Sequence, residues 1–151
     1  MTLPDAYTRA IAQQPSALHE LLNRYANGLV ADTHAVPDGD PAFATDWVNA
    51  CAMSEFIAHT SVRYPAVVGE LWHSGDLLRA YPAHHYQQTA QLRFAACKDE
   101  ETLMRELRVW RRREMIRIAW RDLNLSAPLD ETLGELSALA DAAIDIALQH
   151  L

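Results

Sequence analysis

The segment that decides the fold runs from residue 110 to residue 123 and reads Trp-Arg-Arg-Arg-Glu-Met-Ile-Arg-Ile-Ala-Trp-Arg-Asp-Leu. It places five arginines and two tryptophans in fourteen residues of a chain whose formal net charge is −7. Two interpretations compete: a basic surface for a partner that carries phosphate, or a buried helix with charges embedded in it. The position of the arginines relative to the apolar residues bears on this choice.

Apolar residues lie on two sides of this helix when it is projected at about 100° per residue. The first apolar arc contains Leu103, Met104, Leu107, Trp110, Met115 and Ile118. The second contains Val109, Ile116, Ala119, Trp120 and Leu123. A helix with two apolar sides packs against neighbours on both, so we predict that it is central in the fold.

Arg111 and Glu114 fall inside the first apolar arc and are three residues apart. An isolated charge in a protein interior is very unfavourable, so a buried arginine requires an acidic partner. We therefore predict an internal ion pair between Arg111 and Glu114, extended to Arg121.

The polar sector of the same helix carries Arg113 and Arg117 beside Glu106. Together with Arg112, these two arginines are the candidates for direct contact with a phosphate or an acidic partner. The alternative, that most of the arginines order the helix and its neighbours, stays open at the level of the sequence.

The composition of the 151 residues favours one helical domain, because half of them are hydrophobic and only five are glycine. Residues 103–121 carry seven Arg and two Glu, a balance of +5, which leaves −12 for the remainder. An acidic chain of this kind argues against general nucleic-acid binding. Neither a membrane span nor an N-terminal targeting signal is evident, so we expect a cytoplasmic protein with reduced Cys51 and Cys97.

Capping and breaking residues divide the rest of the chain into further helices, giving an all-α bundle of about six. We predict an opening helix ending near Gln14 and a second one capped by Ser16 and ending near Gly28. Asp40-Pro41 begins a third helix, which continues past Phe56 and stops before Tyr64-Pro65. Short pieces over residues 65–72 and 76–80 and a helix through residues 86–97 follow.

Two long helices complete the predicted bundle. Asp99 caps the arginine helix, which extends to about Leu123. The last helix has an apolar seam at alternating spacings of four and three, formed by Leu129, Leu133, Leu136, Ala140, Ala143 and Ala147.

The remaining polar clusters give weak signals for metal binding or catalysis. Asp38-Gly39-Asp40 is a lone Asp-x-Asp in a loop, and adjacent His84 and His85 point to different helix faces. Asp141 and Asp145 share a helix face that is more typical of a solvated surface. We therefore predict neither metal ligands nor catalytic residues in this chain.

The arginine helix resembles the N-terminal part of the bifunctional glutamine synthetase adenylyltransferase/adenylyl-removing enzymes. The resemblance is carried by an arginine triplet at residues 111–113, the run Met-Ile-Arg-Ile-Ala-Trp at 115–120 and Arg-Asp-Leu at 121–123. Residues 99–108, 136–142 and 54–57, with Pro65 and Glu70-Leu71, also fit. It covers residues 47–151 and is most specific over residues 102–141.

The resemblance implies a large enzyme that controls glutamine synthetase under the influence of the PII signalling protein. One half adds AMP from ATP, and the other removes it by phosphorolysis, each with Mg²⁺ held by acidic residues. The family's metal-binding signature, a Gly-Gly turn followed by Ser-Ser-Asp-x-Asp, does not occur in this sequence.

The sequence leaves open whether this chain has any enzymatic activity of its own. We expect residues 1–151 to form the helical N-terminal part of the adenylyl-removing half, with the catalytic domain beginning after Leu151. In that position the segment would be non-catalytic and would buttress the catalytic domain. The alternative function is a stand-alone binding module that uses Arg112, Arg113 and Arg117 against an acidic protein partner.

Overall fold

The computed structural model describes residues 3–31, 36–37 and 39–150, which form eight α-helices and no β-strand. The predicted all-α bundle with a long arginine helix is confirmed. In chain order the helices are α1 (Asp5–Ala12), α2 (His19–Val30), α3 (Pro41–Met53), α4 (Glu55–Arg63), α5 (Pro65–His73), α6 (His85–Phe94), α7 (Glu100–Leu123) and α8 (Leu129–Gln149).

Aspartate side chains cap the first turns of two of these helices. Asp40 Oδ1 accepts hydrogen bonds from the backbone N–H groups of Ala42 (2.9 Å) and Phe43 (3.2 Å) at the start of α3. Asp99 Oδ1 accepts one from Thr102 N–H (2.7 Å) at the start of α7, and this bond lowers the pKa of Asp99. Both caps were predicted, since aspartate satisfies N–H groups that have no partner within the helix.

The predicted helix from Pro41 to Tyr64 is instead two helices. Ser54 has extended backbone angles (φ −145°, ψ 110°), and its Oγ accepts a hydrogen bond from Ile57 N–H at 3.3 Å. This serine therefore ends α3 and caps α4, a break that the apolar pattern does not show. The turn allows both helices to pack on the same core.

Three further boundaries differ from the prediction. Ser16 begins a 3₁₀ turn (Ser16–Leu18) rather than capping α2 directly. Helix α2 continues through Gly28 to Val30, where Gly28 allows close approach to Val62. Residues 74–78 form a turn rather than a helix.

Helix α7 lies between two apolar cores, as its two apolar arcs predict. Ile116 and Trp120 belong to a large core with α1–α5, which includes Tyr7, Phe43 and Trp47. Leu103, Trp110 and Ile118 belong to a second core with α6 and α8. Two predicted core residues of α7 are more open, since Met104 is 42% exposed and Val109 is 37% exposed.

The predicted apolar seam of α8 is confirmed in part: Leu136 and Ala143 pack against the second core, whereas other members of the seam are exposed. The buried residues of α8 are Thr132, Glu135, Leu139, Ala142 and Ile146. Leu129 and Leu133, which were assigned to the seam, are 66% and 54% exposed. The physical reason is the ion pair between Glu135 and the buried Arg117 of α7. This pair requires the side of α8 that carries Glu135 to face α7.

None of the helices in the described part of the chain is long and apolar enough to cross a membrane.

Candidate functional site: the arginine helix

Arg113 joins α7 to α5 and to the turn that follows α5. Its Nε and Nη2 donate to the two carboxylate oxygens of Glu70 at 2.9 and 3.0 Å, a bidentate arrangement. Nη2 also donates to Asp76 Oδ2 (2.6 Å), and Nη1 donates to Glu114 Oε1 (2.7 Å). Three acids thus surround one guanidinium group whose side chain is 19% exposed.

Arg117 is the most deeply buried charge of the helix, with a fully buried side chain. Nη1 donates to Glu135 Oε2 on α8 at 2.7 Å, and Nε donates to the carbonyl oxygen of Asp76 at 3.0 Å. Nη2 donates to the carbonyl oxygen of Arg79, and the guanidinium carbon lies 3.4 Å from the centroid of the Tyr81 ring. Arg117 therefore holds the non-helical residues 76–81 and α8 against α7.

Arg121 repeats this pattern one turn later. Its Nη2 donates to Glu131 on α8 and to the carbonyl oxygen of Ser126, which lies between α7 and α8. We call Arg113, Arg117 and Arg121 the internal arginine network. All three link α7 to other parts of the chain, as expected for buried charges that need acidic or carbonyl partners.

The network shifts the pKa values of the acids around it in opposite directions. Burial by itself would raise the pKa of Asp76, but hydrogen bonds from Arg113 and Ser74 outweigh it, and the net shift is downward. Burial raises the pKa of Glu114, and the charge of Arg113 offsets only part of this effect. Asp76 is therefore held as a carboxylate, whereas Glu114 is ionised less readily than usual.

The predicted ion pair of Arg111 with Glu114, extended to Arg121, is wrong. Glu114 is buried, but it accepts from the neighbouring Arg113, while Arg111 is exposed and Arg121 pairs with Glu131. The first apolar arc does not reach the core at Arg111, because there it faces an open groove between α4 and α7.

The prediction that Arg117 is available to a partner is also wrong, since its side chain is fully buried. Arg113 is mostly buried and is already paired with acids. The polar sector of α7 points at other polar groups rather than at water. Of the three candidates for partner contact, Arg112 lies at the surface groove.

The groove between α4 and α7 has a volume of about 520 Å³ and contains four arginines. We call it the α4–α7 groove; its lining consists of Phe56, His59, Thr60, Arg63, Tyr64, Arg108, Arg111, Arg112 and Met115. The guanidinium carbon of Arg112 lies 3.7 Å from the Tyr64 ring centroid, and that of Arg63 lies 5.5 Å from it. These are cation–π distances, so the aromatic ring positions two of the four charges.

The acidic partners of the network could not be found from the sequence. Glu70, Asp76, Glu131 and Glu135 are 43, 37, 10 and 18 residues from the arginines that they bind. The sequence partly indicates that Glu135 faces the core, since it lies three residues before the apolar Ala138 and four before Leu139 on the same face of α8. Choosing its arginine requires the packing of α7 on α8.

The weak metal candidates are not brought together. Asp40 caps α3, whereas Asp38 lies outside the described residues. His85 stacks on Tyr81 with ring centroids 3.6 Å apart, and Asp141 and Asp145 line a shallow surface pocket on α8. Over the described ranges, no group of three or more His, Cys, Asp or Glu side chains could hold a metal ion.

These features define an all-α bundle whose central helix is fixed by a buried arginine network. The sequence matches the family model described as glutamate-ammonia ligase adenylyltransferase over residues 44–151. The chain therefore belongs to the glutamate-ammonia ligase adenylyltransferase family, as its resemblance predicted.

Curated relatives carry the name bifunctional glutamine synthetase adenylyltransferase/adenylyl-removing enzyme. The protein from Nitrosococcus oceani is 44% identical over 98 residues, which is 65% of this chain and 10% of the relative. The protein from Pseudomonas aeruginosa is 42% identical over 106 residues, covering 70% of this chain and 11% of the relative. The protein from Pseudomonas syringae pv. tomato is 35% identical over 144 residues, covering 95% of this chain and 14% of the relative.

The chain thus spans only 10% to 14% of the length of these relatives. No solved structure matches it.

Proposed function

We propose that this chain is a helical, non-catalytic segment of an enzyme that adenylylates and deadenylylates glutamine synthetase. In this proposal it belongs to the adenylyl-removing half and supports the adjoining nucleotidyltransferase domain. Family membership and the small share of each relative that it spans support this assignment.

The observation that carries the proposal is an exposed apolar face on α8. Leu129, Leu133, Ile144 and Leu148 are 54% to 66% exposed. They project within an arc of about 100°, so they form a strip along one face of the helix, in two pairs with a gap of about 16 Å between Leu133 and Ile144. Exposed apolar side chains that share one helix face mark interaction surfaces, and we assign this one to the catalytic domain of the longer enzyme.

The internal arginine network supports the same role mechanically. Arg117 and Arg121 pair with Glu135 and Glu131, which fix the rotation of α8 about its own axis. The exposed strip is therefore presented in one orientation to whatever packs on it. A support needs this rigidity, because a helix that rotated freely would not define the position of a neighbouring domain.

The chemistry of adenylyl transfer is assigned to other parts of the longer enzyme. The described residues do not fit a Mg²⁺ site, since no cluster of acidic or histidine ligands lies among them. Mg²⁺ and ATP are accordingly proposed cofactors of the complete enzyme, and glutamine synthetase and PII are its proposed partners. The free thiols of Cys51 and Cys97 are compatible with the cytoplasm as its place of action.

The test is complementation between separate polypeptides. A Pseudomonas aeruginosa relative that lacks its segment matching this chain is mixed with the 151-residue protein, and phosphate-dependent release of ADP from adenylylated glutamine synthetase is measured, since phosphorolysis transfers the AMP group to phosphate. We expect the chain alone to be inactive and to increase the activity of the truncated relative. Leu133→Glu/Ile144→Glu is expected to remove this increase, whereas Leu92→Glu, at an 83% exposed leucine of α6, leaves it unchanged.

Two results would contradict the proposal. Phosphate- and Mg²⁺-dependent release of ADP from adenylylated glutamine synthetase by the chain alone would show that it is catalytic. An increase in activity that is the same with Leu133→Glu/Ile144→Glu as with the unaltered chain would show that the α8 strip is not the supporting surface.

The alternative of a stand-alone binding module is weakened in its original form. It depended on Arg112, Arg113 and Arg117, and the last two are held within the network. Any partner contact by arginines of α7 must therefore use the opposite side of the helix.

A further inference from the structure

We propose that the α4–α7 groove binds an acidic peptide segment of a partner protein. The carboxylates of this segment would pair with Arg63, Arg108 and Arg111, and an apolar side chain would lie against Phe56 and Met115. The proposal is independent of the support function, because it concerns α4 and α7 rather than the strip on α8.

The arginines of the internal network and those of the groove differ in their partners. Arg113, Arg117 and Arg121 each have a carboxylate partner. Within the described residues, none of the four groove arginines forms an ion pair with a carboxylate. Four like charges in one groove repel each other, and an acidic ligand would relieve this repulsion.

The groove also contains apolar surface in addition to these charges. Phe56 is 43% exposed, and the partly buried Met115 belongs to the same groove lining. An apolar side chain placed there would leave water, and methionine adapts readily to the shape of a ligand. Alternating acidic and apolar residues therefore match the groove better than a purely polar anion does.

The charge distribution favours a short peptide over a nucleic acid. Without the four groove arginines, the formal net charge of −7 would be −11, so a long polyanion meets repulsion outside the groove. Tyr64 is also a poor platform for base stacking, because Arg112 already lies 3.7 Å from its ring centroid.

The experiment measures binding of a fluorescent peptide of alternating Glu and Leu to the complete 151-residue chain by fluorescence anisotropy. Two matched peptides are compared with it: one with Gln in place of Glu, and one with Ser in place of Leu. We expect the Glu–Leu peptide to bind most tightly. Its affinity should fall between about 50 mM and about 200 mM NaCl, since the contacts are exposed charges.

The variant Arg108→Gln/Arg111→Gln removes two exposed charges from the groove. We expect it to weaken binding of the Glu–Leu peptide roughly tenfold, the effect of two exposed ion pairs. The control is Arg9→Gln/Arg24→Gln, which makes the same change in net charge at exposed positions on α1 and α2. Unchanged circular dichroism would show that both variants are folded.

Several outcomes would overturn the proposal. The first is the absence of binding of the Glu–Leu peptide to the unaltered chain. The second is equal affinity for this peptide in the groove variant and in the control variant. Tight binding of the Glu–Ser peptide would contradict the role of Phe56 and Met115. Tighter binding of oligothymidylate or of inorganic phosphate, lost in the groove variant, would assign the groove to nucleic acid or to a small anion instead. All these results are independent of the complementation experiment.

Discussion

Arg117 of α7 and Glu135 of α8 form a buried ion pair in which Nη1 lies 2.7 Å from Oε2. The arginine side chain is fully buried and the glutamate side chain is 8% exposed. A charge at Glu135 has to point toward α7 to meet its partner, so the pair sets the rotation of α8. That rotation buries Leu139 and exposes Leu133.

Replacing Arg117 by Met is expected to destabilise the fold by about 3–5 kcal/mol, because Glu135 would remain buried without its counter-charge. The substitution also removes the hydrogen bonds that Arg117 donates to the carbonyl oxygens of Asp76 and Arg79. Urea denaturation at neutral pH measures this change in the free energy of unfolding.

The double variant Arg117→Met/Glu135→Leu is expected to be more stable than Arg117→Met, since no buried charge is left unpaired. Arg111→Gln, at an exposed site on the same helix, should change the free energy of unfolding by less than about 0.5 kcal/mol. If Arg117→Met were equally harmless, the buried pair would be refuted.

Asp76 should make the stability of the fold depend on acid pH. Burial by itself would raise its pKa, but the hydrogen bonds from Arg113, Ser74 and Tyr81 together with the charge of Arg113 lower the pKa in the folded state, relative to about 3.9 in the unfolded chain. The carboxylate therefore contributes stability that is complete above its unfolded pKa and is lost as the pH falls toward the folded pKa.

The matched variant is Asp76→Asn. It should be about 1–3 kcal/mol less stable than the unaltered protein near neutral pH, because one charged partner of Arg113 is removed. As the pH is lowered below about 4, the difference in the free energy of unfolding should shrink. A difference that stays constant over this range would contradict the lowered pKa of Asp76.

Two leucines of α8 test its register directly. Leu139 is 4% exposed, so Leu139→Ala should cost about 2–5 kcal/mol through lost burial and the cavity left behind. Leu133 is 54% exposed, and Leu133→Ala should change the stability of this chain by less than about 0.5 kcal/mol. Thermal or urea unfolding distinguishes the two, and the reverse order would restore the seam expected from spacing alone.

Two helical glycines should respond oppositely to alanine. A Cβ at Gly134 would meet nothing within 4 Å, so Gly134→Ala should stabilise α8 by about 0.5–1 kcal/mol. A Cβ at Gly28 would lie 2.8 Å from Val62 Cγ1, so Gly28→Ala should destabilise by about 1–3 kcal/mol. Differential scanning calorimetry provides the comparison, and stabilisation by Gly28→Ala would show that α2 and α4 are less closely packed.

Local signals accounted for much of the fold. Asp40 and Asp99 marked the starts of α3 and α7, because aspartate at these positions satisfies backbone N–H groups within three residues of itself. The two apolar arcs of α7 predicted its contact with two cores. The break at Ser54 was missed, since a serine cap inside a continuous apolar pattern gives a weak signal.

The candidate site was predicted less well than the fold. The arginine helix was recognised as the central feature, but Arg111 and Arg117 were assigned to the wrong environments. A helical projection shows which residues share a direction, whereas burial depends on what is packed in that direction. Here the polar sector meets Asp76 and Glu135, and the apolar arc at Arg111 meets the α4–α7 groove.

The sequence by itself determined most of the helices, the central place of α7 and the family, because all three depend on residues close together in the chain. The tertiary structure alone decided which arginines are internal and which are free to bind. Arg117 is internal because Glu135, 18 residues away, lies opposite it on α8, and Arg111 is open because α4 leaves a groove beside it. Contacts between distant residues are set by how whole helices pack, and no local pattern encodes that arrangement.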